Sequence, residues 1–267
     1  IDIRSSKTTG EVQCLCPQCS HTRKKKTDKC LSVNLDKGTW FCHHCAWKGA
    51  LINTIEKIEY IKPIWKNKTE LSEKVVRFFE DRRKITQETL LDLRVTDGLE
   101  FMPQFSKEVD TIQFNYFRNN ELVNIKYRGP EKAFKLHKGS ELIFFNLDSI
   151  KEQKEVIICE GEIDAMTFYQ CGYKSVLSVP NGANINTNNL TYLDNCISDL
   201  EHIETFYLAT DNDIAGRKLR IDLAERLGVE KCKYIEFEEY KDANDLYKFK
   251  GSQAIKEAYE NAKHFPL

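Results

Sequence analysis

A chain of 267 residues with 41% apolar and 30% charged side chains can fill one large core or two to three small ones, which excludes a disordered protein. Its mean hydropathy of -0.52, with no apolar run long enough to span a bilayer, excludes a membrane-crossing helix. The net charge of -1 conceals an asymmetry: residues 1–68 carry 13 Lys and Arg against 6 Asp and Glu, leaving 27 against 35 for the remainder. A basic amino-terminal module on an acidic body points to a polyanion handled at one end. The opening residues show no signal-peptide pattern, and ten cysteines in a Lys-rich chain read as metal ligands and buried thiols, so a cytoplasmic protein is expected.

The first element in chain order is a pair of knuckles, Cys16-Pro-Gln-Cys19 and Cys42-His-His-Cys45, separated by 22 residues. Two C-x-x-C pairs can grip opposite sides of a tetrahedral zinc ion. Between them, Cys30 to Cys42 has the pattern of a hairpin turning at Asp36-Lys37-Gly38, so residues 1–50 are expected to form a zinc ribbon held by Cys16, Cys19, Cys42 and Cys45. Cys14 and Cys30 are left outside the ligand set, with Cys14 a competitor for the place of Cys16, and His43 and His44 are expected to face solvent. Arg23-Lys-Lys-Lys26, Lys29, Lys37 and Lys48, with Trp40, Phe41 and Trp47 among them, suit phosphates and unpaired bases.

Residues 51–70 read as a linker. Helical spacing follows over 71–93, interrupted near Ile85-Thr86 by an N-cap signal. Strands over 111–118 and 121–128, joined at Asn119-Asn120, predict a hairpin. Its end brings Lys126, Arg128, Lys132 and Lys135 towards one sheet edge, a cation set suited to nucleotide phosphates or a template strand.

From residue 155 strands alternate with helices: strands at 156–159, 175–179, 205–209 and 233–237, helices from Asp164 to Gln170, from Leu190 to Leu200 and after Gly216-Arg217 up to Gly228. This predicts a doubly wound α/β unit over 155–267 with a helix at its carboxyl end, preceded by an α+β segment over 71–154. Ligands of such sheets collect at the carboxyl ends of the strands. The loops there carry Glu160, Asp211, Asp213 and Asp242, a carboxylate set that suits Mg²⁺ or Mn²⁺ and phosphoryl transfer.

Glu160-Gly-Glu-Ile-Asp-Ala-Met166 resembles the first signature of a TOPRIM domain, and Asp211-Asn-Asp-Ile-Ala-Gly-Arg217 resembles its D-x-D-x-x-G second signature. Lys241-Asp-Ala-Asn-Asp245 is similar to the element that follows in phage-type and DnaG-type primases, and the zinc ribbon ahead of these completes the primase order. The resemblance implies a Rossmann-like TOPRIM fold and a DNA primase, an RNA polymerase that makes short primers on single-stranded DNA from ribonucleoside triphosphates. It implies Glu160 as metal ligand or general base, Asp211, Asp213 and Asp242 as Mg²⁺ ligands, and Lys126, Arg128, Lys132, Lys135, Arg217 and Lys241 as nucleotide and template contacts. Work in the cytoplasm, the host's if the source is a phage, would follow.

No G-x-x-x-x-G-K-[ST] run occurs in these residues, so no helicase motor is expected in them. The resemblance to the primase half of phage primase-helicases implies a replicative helicase, fused or separate, as the partner. The rivals are a RecR-like zinc and TOPRIM protein that binds DNA without catalysis, and a TOPRIM nuclease. The first would place helix-hairpin-helix signals before its zinc site, whereas here the cysteines begin at Cys14.

Overall fold

The computed structural model describes residues 1, 3, 7–50, 59–64, 71–186 and 189–265. The chain divides into two compact units, Ile1–Glu59 and Tyr60–Leu267. Most of the expected linker, 51–58 and 65–70, lies outside the described residues. Residues 59–64 belong to neither a helix nor a strand, yet Ile61 is tied down by its backbone N–H to Gly139 (2.9 Å) and by the Ser140 hydroxyl to its carbonyl (2.7 Å).

The first unit is an antiparallel sheet of β1 (Glu11–Cys14), β2 (Leu31–Asn34), β3 (Thr39–Cys42) and β4 (Lys48–Ala50) in that order. The expected hairpin is the β2–β3 pair, with Gly38 supplying the positive φ of its turn. Val12, Leu31, Val33 and the cysteines make a core too small to stand alone, and Trp40 and Trp47 close it with ring centroids 5.4 Å apart. Gly49 is required by that packing, because a Cβ there would meet the Trp40 ring at 2.3 Å.

The second unit opens with α1 (Glu73–Arg77), which runs into a π-helical segment over Phe78–Arg83, and α2 (Gln87–Asp92). The cap between them is Thr86, whose hydroxyl accepts the Thr89 N–H. A meander follows: β5 (Thr96–Met102), β6 (Lys107–Arg118), β7 (Glu121–Arg128) and β8 (Phe134–Leu136). The β6–β7 hairpin was legible, but β5 was not, since Asp97-Gly98 reads as a turn and Leu99 and Phe101 stay exposed. Pairing with a long neighbour overrides that local preference.

The remainder is the doubly wound unit: β9 (Glu155–Cys159), α3 (Glu162–Gln170), β10 (Val176–Ser178), α4 (Thr191–Asn195), α5 (Ile197–Leu200), β11 (Thr205–Ala209), α6 (Ile214–Leu227), β12 (Cys232–Tyr234), α7 (Ala243–Lys250), α8 (Ser252–Glu260) and β13 (Lys263–His264). The sheet order is β10-β9-β11-β12-β13, with β13 alone antiparallel. β9 is buried from Val156 to Cys159, as its unbroken apolar run requires. The helix expected over 190–200 breaks at Cys196, where the backbone leaves helical geometry and Arg118 donates to the Asn195 carbonyl (2.9 Å). The strand expected over 233–237 ends at Tyr234, and the single carboxyl-terminal helix is two, parted by Gly251 at φ 78°. One apolar core runs from Val75 and Phe79 to Leu246 and Ile255, so the segments over 71–154 and 155–267 fold together.

Candidate active site

Strand order reverses between β9 and β11, and there the carboxyl-end loops open a crevice. Glu160 leaves β9 and Asp211 leaves β11 at this point. Gly216 lets the first turn of α6 lie against the Asp211 backbone: a Cβ there would sit 2.3 Å from the Asp211 carbonyl oxygen. The D-x-D-x-x-G spacing is thus a close-approach requirement. Asp213 caps α6 by accepting the Gly216 N–H (2.9 Å), and Asp242 caps α7 by accepting the Asp245 N–H (2.7 Å).

The crevice is a cavity of about 600 Å³ whose walls include Glu160, Asp211, Asp242, Lys126, Arg128, Lys132, Lys135 and Lys241. Asp213 and Arg217 do not line it. Arg217 lines a separate cavity with Glu236 and Glu238, and Asp213 faces Lys241 across 3.4 Å with its side chain nearly half exposed. The carboxylates of Asp164, Asp211 and Asp242 offer oxygens within 4.8 Å of one another. Asp164 was not among the sequence candidates. It sits in the first turn of α3, buried, and accepts the Asn244 N–H from α7 (3.0 Å).

Electrostatics mark the same group. Burial, then the charges of Asp242 and Asp211, hold the Asp164 carboxyl well above the usual range. Burial also raises Asp211 and Asp242, although Lys241 opposes this at Asp211 from 2.8 Å. Glu160 is pushed up to about 7, by burial first and then by Asp211, against the backbone N–H groups of Asp211 and Ala183 that it accepts. Asp213 alone is lowered, mainly by its cap bond to Gly216. Several carboxylates that resist ionising together are a cation site in waiting, and an all-oxygen set fits a hard divalent ion such as Mg²⁺.

The cations sort by their partners. Lys126 is 8% exposed and gives its ammonium to Glu162 at 2.8 and 3.1 Å, while the Tyr116 hydroxyl donates to the same carboxylate at 2.5 Å. Lys135 is paired with Glu100 at 2.6 Å. Among the described residues Arg128 has no carboxylate partner; it lies between the Phe78 and Phe134 rings, 5.4 Å from each centroid. Burial and the neighbouring Arg83 lower its pKa. Arg83, delivered to the cavity wall by the π-helical segment, is a second such cation and was not foreseen; it touches the Asn244 side chain at 3.3 Å. Two guanidiniums that repel each other, in a cavity also lined by carboxylates, form a natural seat for phosphates.

In the first unit, the sulfurs of Cys16, Cys19, Cys42 and Cys45 all lie within 4.8 Å of one another. The Cys16–Cys45 and Cys19–Cys42 separations are each 3.7 Å, close to the edge of about 3.8 Å of a tetrahedron with Zn–S bonds of about 2.3 Å. The backbone N–H groups of His44 and Cys45 point at the Cys42 sulfur, as a knuckle requires. The donor set therefore fits zinc. His43 and His44 are exposed, as expected. Of the three aromatics expected to meet bases, Trp40 and Trp47 are spent on the core. Phe41 is 42% exposed beside His43, which in turn bonds Ser32 (2.9 Å).

A doubly wound sheet with acids at its switch point, in a chain that also carries a four-cysteine ribbon, is the arrangement of a TOPRIM protein, and comparison with known proteins gives its class. The Toprim-like family profile matches residues 157–247. The chain is 32% identical to the Primase homolog protein of Arabidopsis thaliana, over 97% of this chain and 83% of that protein. It is 30% identical to the chloroplastic and mitochondrial Twinkle homolog protein of the same plant, over 95% of this chain but 39% of that protein. The fold matches the primase fragment of the bacteriophage T7 primase-helicase with a TM-score of 0.56 at 22% identity, covering 92% of this chain and 98% of that one. It matches the zinc-binding and RNA polymerase domains of the Aquifex aeolicus primase with a TM-score of 0.58 at 13% identity, covering 97% and 81%. The chain belongs to the TOPRIM-domain primases. Among its described residues no helix is long and apolar enough to cross a membrane.

Proposed function

We propose that this chain is a DNA primase, a nucleotidyltransferase that joins ribonucleoside triphosphates into short RNA primers on a single-stranded DNA template. The observation that carries the reading is one cavity lined by Asp164, Asp211, Asp242 and Glu160 together with Arg83, Arg128 and Lys132. That pairing suits a triphosphate: anions to hold cations, and guanidiniums to hold phosphate oxygens.

Bound Mg²⁺ or Mn²⁺ supplies charge neutralisation at the reacting phosphate. Asp164, Asp211 and Asp242 would hold it, with Glu160 as a further ligand or as the base that takes the proton of the primer 3′-hydroxyl. A carboxyl poised near 7 suits the second role. Arg128 and Arg83 would orient the triphosphate. Lys241, now bridging Asp211 and Asp213, is the residue placed to follow charge as the site fills. Zinc would hold the ribbon, whose exposed Phe41 offers a face for stacking on a template base. A replicative helicase, fused or separate, is the partner that fits this role, and reduced cysteines fit the cytoplasm.

The test is incubation with single-stranded DNA of mixed sequence, Mg²⁺ and labelled ribonucleotides, beside Glu160→Gln. Short RNA made by the natural chain and not by the variant establishes the primase. Binding without product points to a RecR-like binder, and degraded template to a nuclease.

A further inference from the structure

Five sulfurs, not four, meet in the ribbon. Cys30, just before β2, lies 3.7 Å from the Cys42 sulfur and 3.8 Å from that of Cys19, with the Ser20 hydroxyl 3.9 Å away. It stands outside the group of four and against its Cys19–Cys42 edge. A tetrahedral ion has no place for a fifth sulfur, so Cys30 is left in contact with two sulfurs that would carry the metal. Cys30 is also the most open of the three, 9% exposed against 6% for Cys19 and 0% for Cys42.

Its surroundings are built for more than packing. Arg23 lies beside it, paired with Asp28 (2.9 Å), with its Nη1 buried and without a hydrogen-bond partner among the described residues. Cys30 sits one residue before Leu31, the cross-strand partner of Cys42, and the His43 N–H donates to the Cys30 carbonyl (2.9 Å), which holds the two cysteines near each other. The sulfurs at 3.7 Å are in contact, and a disulfide brings them to about 2.0 Å.

Resting on the zinc reading above, we propose that Cys30 is a peroxide-oxidation site that forms a disulfide with a ligand sulfur it touches, Cys42 or Cys19, and thereby expels the zinc. Hydrogen peroxide oxidises the Cys30 thiol to a sulfenic acid: the O–O bond breaks, an S–O bond forms and one water leaves. The ligand sulfur attacks the sulfenic sulfur, the S–S bond forms, and hydroxide departs and takes a proton from solvent as the second water. Two electrons pass from the two sulfurs to one peroxide. The ion is left with three sulfurs and is lost, and a ribbon that depends on its metal loses its fold.

The test uses the full chain loaded with zinc, the natural protein beside Cys30→Ser, treated with hydrogen peroxide in the presence of a chromogenic zinc chelator. Zinc release should be several-fold slower in the variant. Peptide mapping of the alkylated natural protein should find Cys30 bridged to Cys42 or Cys19, a readout that needs no variant to fold. Equal release rates, or bridges confined to Cys16–Cys19 and Cys42–Cys45, overturn the proposal. A protein that binds no zinc before peroxide overturns the zinc reading as well, which separates the two failures.

Discussion

Lys126 and Glu162 form a buried ion pair at the floor of the cavity, 2.8 Å from nitrogen to oxygen, with the Tyr116 hydroxyl on the same carboxylate. Removing one partner strands the other charge away from water. Glu162→Ala should therefore lose about 3–5 kcal/mol of stability in chemical denaturation, and the double variant with Lys126→Met should recover part of it.

Asp164 shares its oxygens with Asp211 and Asp242, and all three carboxyls are raised. Asp164→Asn keeps the Asn244 bond and removes one of three mutually repelling charges. The metal-free variant should melt higher than the natural chain, while primer synthesis falls to background and Mg²⁺ binding by calorimetry weakens. Retained synthesis would remove Asp164 from the ligand set.

The Glu160 carboxyl moves from 4.5 to about 7 on folding, chiefly through burial. Between those values the folded chain keeps a proton that the unfolded chain has released. The contribution of this group to metal-free stability is thus complete below about 4.5 and disappears as pH rises through about 7. Chelator-treated protein should show that decline in thermal melts, and Glu160→Gln should lack it. Adding Mg²⁺ near pH 6.5 should release protons, a difference between buffers of unlike ionisation enthalpy that the variant does not show.

A methyl group at Gly216 has nowhere to go, because what it meets is the Asp211 backbone and not a movable side chain. Gly216→Ala should cost about 1–3 kcal/mol and reduce synthesis further than that loss explains, since relief of the clash displaces Asp211. A stability loss with normal specific activity would show that the loop absorbs the strain elsewhere.

Zinc removal should be visible without any activity. A strong chelator should abolish the Trp40–Trp47 packing, read as a red shift and loss of structured tryptophan fluorescence, and Cys42→Ser should do the same. In synthesis, Cys42→Ser should lose template-directed initiation and retain more of its extension of a supplied dinucleotide.

Much of this site was legible because its chemistry is written in short spacings. The knuckles, the strand ending at Glu160 and the D-x-D-x-x-G turn are each set by backbone geometry within a few residues, and so is the Thr86 cap. Asp164 was within the same legible run, but its place at the start of a helix reads as a surface position. Only the packing of α3 against α7, through Asn244, turns it inward. Arg83 was hidden for a different reason: it stands in an ordinary charged run, 77 positions before Glu160, and reaches the cavity through the core shared by both segments.

The sequence by itself determined which groups exist and in what order: four sulfurs for a soft tetrahedral ion, oxygens at strand ends for a hard one, and cations ahead of them. Those follow from side-chain chemistry and from local backbone periods. The tertiary structure decided which of them act together. Lys126 and Lys135 are neutralised by Glu162 and Glu100, 36 and 35 residues away, while Arg128 forms no ion pair among the described residues and feels Glu162 only at longer range. Asp213 serves as a cap, whereas Asp164 joins the carboxylate group. Coulomb energy and desolvation depend on distance through space, and that distance is set only when strands and helices far apart in the chain close on one core.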